Sequence, residues 1–358
     1  MIRSTDMKAP ICLDRVSAQT ERVLGAFLAG QARAAIGPEQ ESAARDIGGL
    51  IAAGGKRIRP QLCVLGWYAA GGEGEPDALV KAAASLELFH AFALIHDDVM
   101  DDSALRRSRP ALHRALADRH RSHTDPVRLG VNAAILIGDL AFAWSQQMLH
   151  TAGLAPGRLA AALPVVDAMH SEVMYGQYLD LLATGTEEPP ELDRVLAVAR
   201  FKTATYTVER PLHLGAVLAG ADPDLLTALS KFAVPIGEAF QLRDDLLGVY
   251  GDPAATGKPC SDDLRDGKHT ALTVLALQHA DPTSRAGLRQ LLGRPDLDDG
   301  ETDRLRRLIR ATGAPHLVEQ MIDDRRAQAL GALQAAGLPS AATAALEAIA
   351  RSATGRIR

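Results

Sequence analysis

The residues best suited to chemistry lie between Ile95 and Arg107, which read IHDDVMDDSALRR. Asp97, Asp98, Asp101 and Asp102 fall within six positions, and Arg106 and Arg107 follow one turn later. Asp97 and Asp101 share a helix face, where like charges cost ~0.2–0.5 kcal/mol. They also sit at a C-terminal helix end, where the helix dipole disfavours anions. A cation is needed to offset them. Carboxylates without Cys or a His pair suit a hard ion such as Mg2+, which keeps coordination positions open for phosphate oxygens. A solvated acidic helix end has the same composition, but this cluster closes an apolar run and not a polar face.

A second cluster has the same design. Phe240 to Gly248, FQLRDDLLG, closes the apolar run from Leu226 to Leu242 and carries Gln241, Asp244 and Asp245. Two helices that deliver carboxylates to one cavity would hold divalent metals from opposite walls and clamp an anion between them.

The elements that must position these groups read as helices. From Ala78 to Met100 the chain is apolar on nearly every face and has no Pro or Gly, as a buried helix requires. Asp77, just after Pro76, is expected to satisfy its first backbone donors. Further helices are expected over Leu13 to Ile36, Pro38 to Ala53, Val127 to Leu149 and Pro156 to Leu182. Gly71 to Pro76 and Thr184 to Asp193 read as loops. Beyond Thr270 the helices are rich in Ala and Leu and carry no motif, so they are assigned to packing. The fold class is all-α: one domain over residues 11–358, a bundle of long helices around a central cavity, after a loose tail at residues 1–10.

Bulk properties agree with this reading. The 358 residues are 47% hydrophobic but only 4% aromatic, with few alternating β-branched segments, which favours helices over sheets. A net charge of −5 with no polybasic block argues against a nucleic-acid partner. Cys12, Cys63 and Cys260 have no metal or redox spacing and read as reduced thiols of a cytoplasmic protein. Neither a signal peptide nor a charge-free run of ~18 apolar residues is present, so no stable membrane insertion is expected. Gly251 to Lys268 looks superficially like a phosphate-binding P-loop. Pro259 stands where Ser or Thr should meet Mg2+ and no strand precedes it, which excludes that reading.

Taken together and in order, the motifs are specific. They are GGKRIRP at Gly54 to Pro60, His90, DDVMD at Asp97 to Asp101, LRRSRP at Leu105 to Pro110, GQYLDL at Gly176 to Leu181, FKTA at Phe201 to Ala204, RDDLLG at Arg243 to Gly248 and TGKP at Thr256 to Pro259. The chain resembles the isoprenyl diphosphate synthases, or polyprenyl synthetases. The resemblance implies a Mg2+-dependent homodimer that joins isopentenyl diphosphate head to tail to an allylic diphosphate (dimethylallyl, geranyl or farnesyl). It implies metal ligands at Asp97, Asp98, Asp101, Asp244 and Asp245. Lys56, Arg59, His90 and Arg107 would hold isopentenyl diphosphate, with the role of Arg57 left open. Arg106, Lys202 and Lys258 would face the allylic diphosphate, Thr203 and Gln241 would also bind substrate, and Gln177 and Asp180 would line the cavity.

Product length is expected to depend on the helix face below the first motif. Relative to Asp97, at ~100° per residue, positions 85, 89, 92 and 93 share one arc. Phe92 five residues upstream of the motif, followed by the small Ala93, resembles geranylgeranyl-forming members; farnesyl-forming ones often carry two adjacent aromatics. Phe92 is the expected floor, with Phe89 behind it. Two positions depart from the family pattern. Ser108 replaces a glycine, and Gly248 replaces the last aspartate of the second motif. Either that carboxylate is dispensable or Asp252 compensates, while Asp262, Asp263 and Asp266 read as solvated loop charges. Rival readings are a farnesyl or longer-chain synthase, a terpene cyclase, which needs no second diphosphate pocket, and a non-catalytic partner subunit.

Overall fold

The computed structural model describes residues 10–184, 188–251 and 262–355, without the side chain of Asp262. Lys258, Asp252 and Cys260 lie outside the described residues. Packing divides the chain into two compact units, each assembled from separate stretches. One comprises Ile11–Ala162 with Leu214–Gly220; the other comprises the described residues of Leu163–His213 and Ala221–Arg358.

The first unit holds α1 (Leu13–Arg33), α2 (Pro38–Ala52), α3 (Ile58–Ala69), α4 (Asp77–Met100), α5 (Leu112–Arg119) and α6 (Pro126–His150). The helix α4 is its axis. Residues Ala82 to Phe89 are all buried, and α1, α3 and α6 pack around them. A helix that is apolar all round has no stable alternative to a central position. The start of α4 corrects one expectation, because Pro76 is the N-cap and no side chain caps the helix, Asp77 included. By contrast, Asp125 caps α6 by accepting from the Arg128 amide at 3.1 Å, and Pro126 opens the helix. The helices α4 and α6 are long and apolar enough to cross a membrane by length and composition, but α4 is 67% buried over that window and α6 only 28%.

Among the described residues the only strands are two-residue segments, Leu105–Arg106 (β1) and Arg109–Pro110 (β2), paired antiparallel. The two loop residues between them, Arg107 and Ser108, have φ of 53° and 60°. A two-residue hairpin whose turn has both central φ positive favours glycine at the second position. That accounts physically for the glycine expected at 108, and Ser108 carries a strain of ~1–2 kcal/mol.

The second unit holds most of α7 (Pro156–Ala183), then α8 (Leu192–Val198), a π-helical stretch over Ala199–Glu209, and the start of α9 (Arg210–Ala219). The long α10 (Pro223–Tyr250) follows, and after it α11 (Asp262–Arg265), α12 (Ala271–His279), α13 (Pro282–Leu291), α14 (Asp299–Ala311), α15 (Ala314–Ala335) and α16 (Ser340–Thr354). Asp222 caps α10 through the Leu225 amide at 2.8 Å. The π-helical stretch packs against α10, as does α15 on another side. Such stretches occur mostly at functional sites, and this one carries Lys202 and Thr203. Gly176 of α7 admits it: a Cβ there would lie 2.8 Å from the Cα of Lys202.

Candidate active site

The first unit brings three of the expected anion-binding residues, Arg59, His90 and Arg107, close together. Lys56 is exposed on the loop into α3, while Arg59 and His90 are half-buried. Arg57, left open from sequence, is only 4% exposed, has φ 51°, and holds the loop instead of facing solvent. Its guanidinium donates to Glu87 of α4 at 3.1 Å and to the Ile51 carbonyl at the end of α2 at 2.7 Å. Arg107 donates to the next carbonyl back, Leu50, at 3.0 Å. The His90 imidazole is pushed well below its usual pKa, first by burial and then by Arg59, Arg107, Arg106 and Arg57. Burial and the same crowd of cations lower the Arg107 guanidinium, opposed in part by Glu87. So much like charge around one imidazole is relieved by a bound anion.

The first acidic motif faces Arg106. Its Nε donates to Asp98 at 2.8 Å, and one terminal nitrogen bridges Asp98 and Asp97, the latter at 3.2 Å. Burial pulls the Arg106 pKa down, but the bonds and charges of Asp98, Asp97 and Asp101 outweigh that and raise it. Asp98 is 2% exposed, Asp97 and Asp101 half-buried. Arg106 thus stands as the local counter-charge of the motif.

Below it, Phe89 is buried at 1% and Phe92 half-buried, with ring centroids 5.3 Å apart. Phe142 of α6, which sequence reading missed, stacks on both at 5.8 and 5.4 Å, and His96 lies 4.6 Å from Phe92. No local pattern marks Phe142, whose role arises from the packing of α6 on α4. Ala93 is half-buried, whereas Ser85 is 5% exposed and its hydroxyl is spent on the Ala82 carbonyl.

In the second unit Lys202 donates to Asp180 at 2.6 Å, and the Gln241 amide donates to Asp245 at 2.8 Å and accepts from Thr203 at 2.5 Å. This chain orients the second motif. Asp244 is exposed; Asp245 is 8% exposed and its pKa is pushed up to about 7, first by burial and then by the charges of Asp263, Asp244 and Asp180, against the Gln241 hydrogen bond. Arg243, inside the motif, is locked by Glu319 of α15 through two hydrogen bonds of 2.7 Å. The helices assigned to packing therefore also hold the second motif in place.

Among the described residues no three His, Cys, Asp or Glu groups already converge as a metal cluster. The donor set nevertheless fits Mg2+: oxygen ligands only, and a buried carboxyl crowded by other carboxylates, which a cation would relieve.

Residues 42–309 match the family model described as polyprenyl synthetase. The chain belongs to the polyprenyl synthetase family. A short chain isoprenyl diphosphate synthase of Methanothermobacter thermautotrophicus is 36% identical over 249 residues, 69% of this chain and 70% of its own. A geranylfarnesyl diphosphate synthase of Aeropyrum pernix is 34% identical over 268 residues, 74% and 78% of the two chains. The crystal structure of a geranylgeranyl pyrophosphate synthase from Corynebacterium glutamicum, complexed with isoprenyl diphosphate and magnesium, superposes with a TM-score of 0.92 at 39% identity, covering 97% of this chain and 100% of that one. This member of the family is accordingly an all-α prenyltransferase making short-chain isoprenyl diphosphates.

Proposed function

We propose that the protein condenses isopentenyl diphosphate with an allylic diphosphate, in a Mg2+-dependent reaction, to give chiefly geranylgeranyl diphosphate. The observation that carries this reading is the cluster of Arg57, Arg59, Arg106 and Arg107 whose charges act on His90, next to an acidic motif that faces Arg106. Lys56, Arg59, His90 and Arg107 hold isopentenyl diphosphate and present its double bond. Bound by Asp97, Asp98, Asp101, Asp244 and Asp245, Mg2+ would supply electrostatic stabilisation to the leaving diphosphate. Arg106, Lys202 and Lys258 add fixed positive charge on the same group, which lowers the barrier most where water is excluded. The double bond attacks the allylic carbon as diphosphate departs, and the released diphosphate takes the proton lost in the last step, no side chain being an obvious base.

The half-buried Phe92 ring, backed by Phe89 and Phe142, forms the floor for the growing chain. The protein is read as a homodimer from its family, and Val127, Ile135 and Leu136, exposed at 58%, 38% and 68% along α6, are apolar side chains that a partner subunit would cover. The test is incubation of the purified protein with Mg2+, isopentenyl diphosphate and each allylic starter, with the prenols identified by mass spectrometry and the protein's mass measured by sedimentation. Geranylgeraniol from a dimer is the expected result. A shorter or longer prenol discards the floor, and absence of condensation discards the reaction.

A further inference from the structure

The second acidic motif ends on Gly248, one turn beyond Asp244 on α10. A Cβ built on Gly248 would overlap a carboxylate oxygen of Asp263 and lie 3.4 Å from its Cγ. No side chain fits at 248 while Asp263 keeps its place. The main chain that carries Asp263 is fixed: the Asp263 carbonyl accepts from the Lys268 amide at 3.0 Å, and the following Leu264 is fully buried with its carbonyl accepting from Gly293 at 2.9 Å. Asp263 is half-buried, where sequence reading placed a solvated loop charge.

Resting on the Mg2+-dependent reading above, we propose that Asp263 supplies the third carboxylate of the second acidic motif. It does so through space instead of along α10, and glycine at 248 is what admits it. A side chain at 248 and the Asp263 carboxylate as it stands compete for one volume, so an aspartate at 248 would require the Asp263 side chain to swing aside. The arrangement keeps three carboxylates at the C-terminal end of α10, where the helix dipole and mutual repulsion disfavour them unless a divalent cation is bound. The cation class is Mg2+ as it accompanies a diphosphate.

The test measures Mg2+ binding in the presence of inorganic diphosphate by calorimetry, together with the melting temperature without Mg2+ as a check on folding. Asp263→Asn and Gly248→Ala, the latter adding only a methyl group, are each expected to weaken Mg2+ binding about tenfold, the lower end of the effect of losing a supporting carboxylate. Gly248→Asp combined with Asp263→Ala, which removes the group that a side chain at 248 would meet, returns the charge to the helix and is expected to recover affinity to within about threefold of the parent. Parent-like binding by Asp263→Asn overturns the proposal, as does a double variant no better than Asp263→Asn. If the parent itself shows no Mg2+-dependent diphosphate binding, the Mg2+ reading fails and takes this proposal with it.

Discussion

Glu87→Gln tests whether Arg57 positions the diphosphate loop. The substitution keeps shape and removes one charge from a pair 3.1 Å apart whose side chains are 3% and 5% exposed. Breaking a buried pair costs ~3–5 kcal/mol when the remaining charge is left uncompensated. Arg57 would keep the Ile51 and Gly54 carbonyls at 2.7 and 3.4 Å and the exposed Glu21 carboxylate at 3.3 Å. The expected loss is therefore smaller, ~2–3 kcal/mol. With an unfolding entropy of about 0.75 kcal/mol/K for 358 residues, the melting temperature should fall by ~3–4 °C. Because Arg57 sits between Lys56 and Arg59, a loosened loop should also raise KM for isopentenyl diphosphate about tenfold, ~1.4 kcal/mol of binding, with kcat little changed. Calorimetry and initial rates at saturating allylic substrate measure both quantities. Glu41→Gln, which removes only the exposed Arg45 pair, is the control, with a cost under ~0.5 kcal/mol. Arg57→Met combined with Glu87→Leu should recover melting temperature but not KM, separating stability from positioning. Parent values of both melting temperature and KM in Glu87→Gln would refute the reasoning.

Three further outcomes are expected. Phe92→Ala should lengthen the main product, read by chromatography of the prenols, at little cost in stability because the ring is half-buried. Phe89→Ala should mainly destabilise, by ~3–5 kcal/mol, since that ring is 1% exposed, and an unchanged product from Phe92→Ala would remove it as the floor. His170 has its pKa lowered to about 4, chiefly by burial, against the Asp167 charge. The unfolded chain therefore takes up this proton near pH 6.5 and the folded chain does not. Stability from this group is full above pH 6.5 and is lost as pH falls towards 4, by at most ~3 kcal/mol. Melting curves between pH 7 and 4 should converge for the parent and His170→Asn as pH falls; parallel curves would contradict the assignment.

Much of the site was legible because it is written in short stretches. Asp97 to Asp101, Asp244 and Asp245, and the Gly54 to Pro60 loop are contiguous motifs; local periodicity placed the first and the last at helix ends within a residue or two, whereas α10 runs on to Tyr250, more than a turn past Asp245. Asp77 was misjudged as a cap because Pro76 already occupies that position. Hairpin strain at Arg107 and Ser108 was not legible either, since backbone φ follows from the turn closing between β1 and β2.

By itself the sequence determined the all-α class, the order of the acidic and basic motifs and the chemistry they can do, since these depend on residue type and on neighbours within a turn or two. Only the tertiary structure decided that Arg57 pairs with Glu87, that Phe142 joins Phe92, that Glu319 locks Arg243, and that Asp263 fills the space over Gly248. Each of these depends on how one helix or turn packs against another. The periodicity along a helix sets which face is buried, but not which distant residue that face will meet.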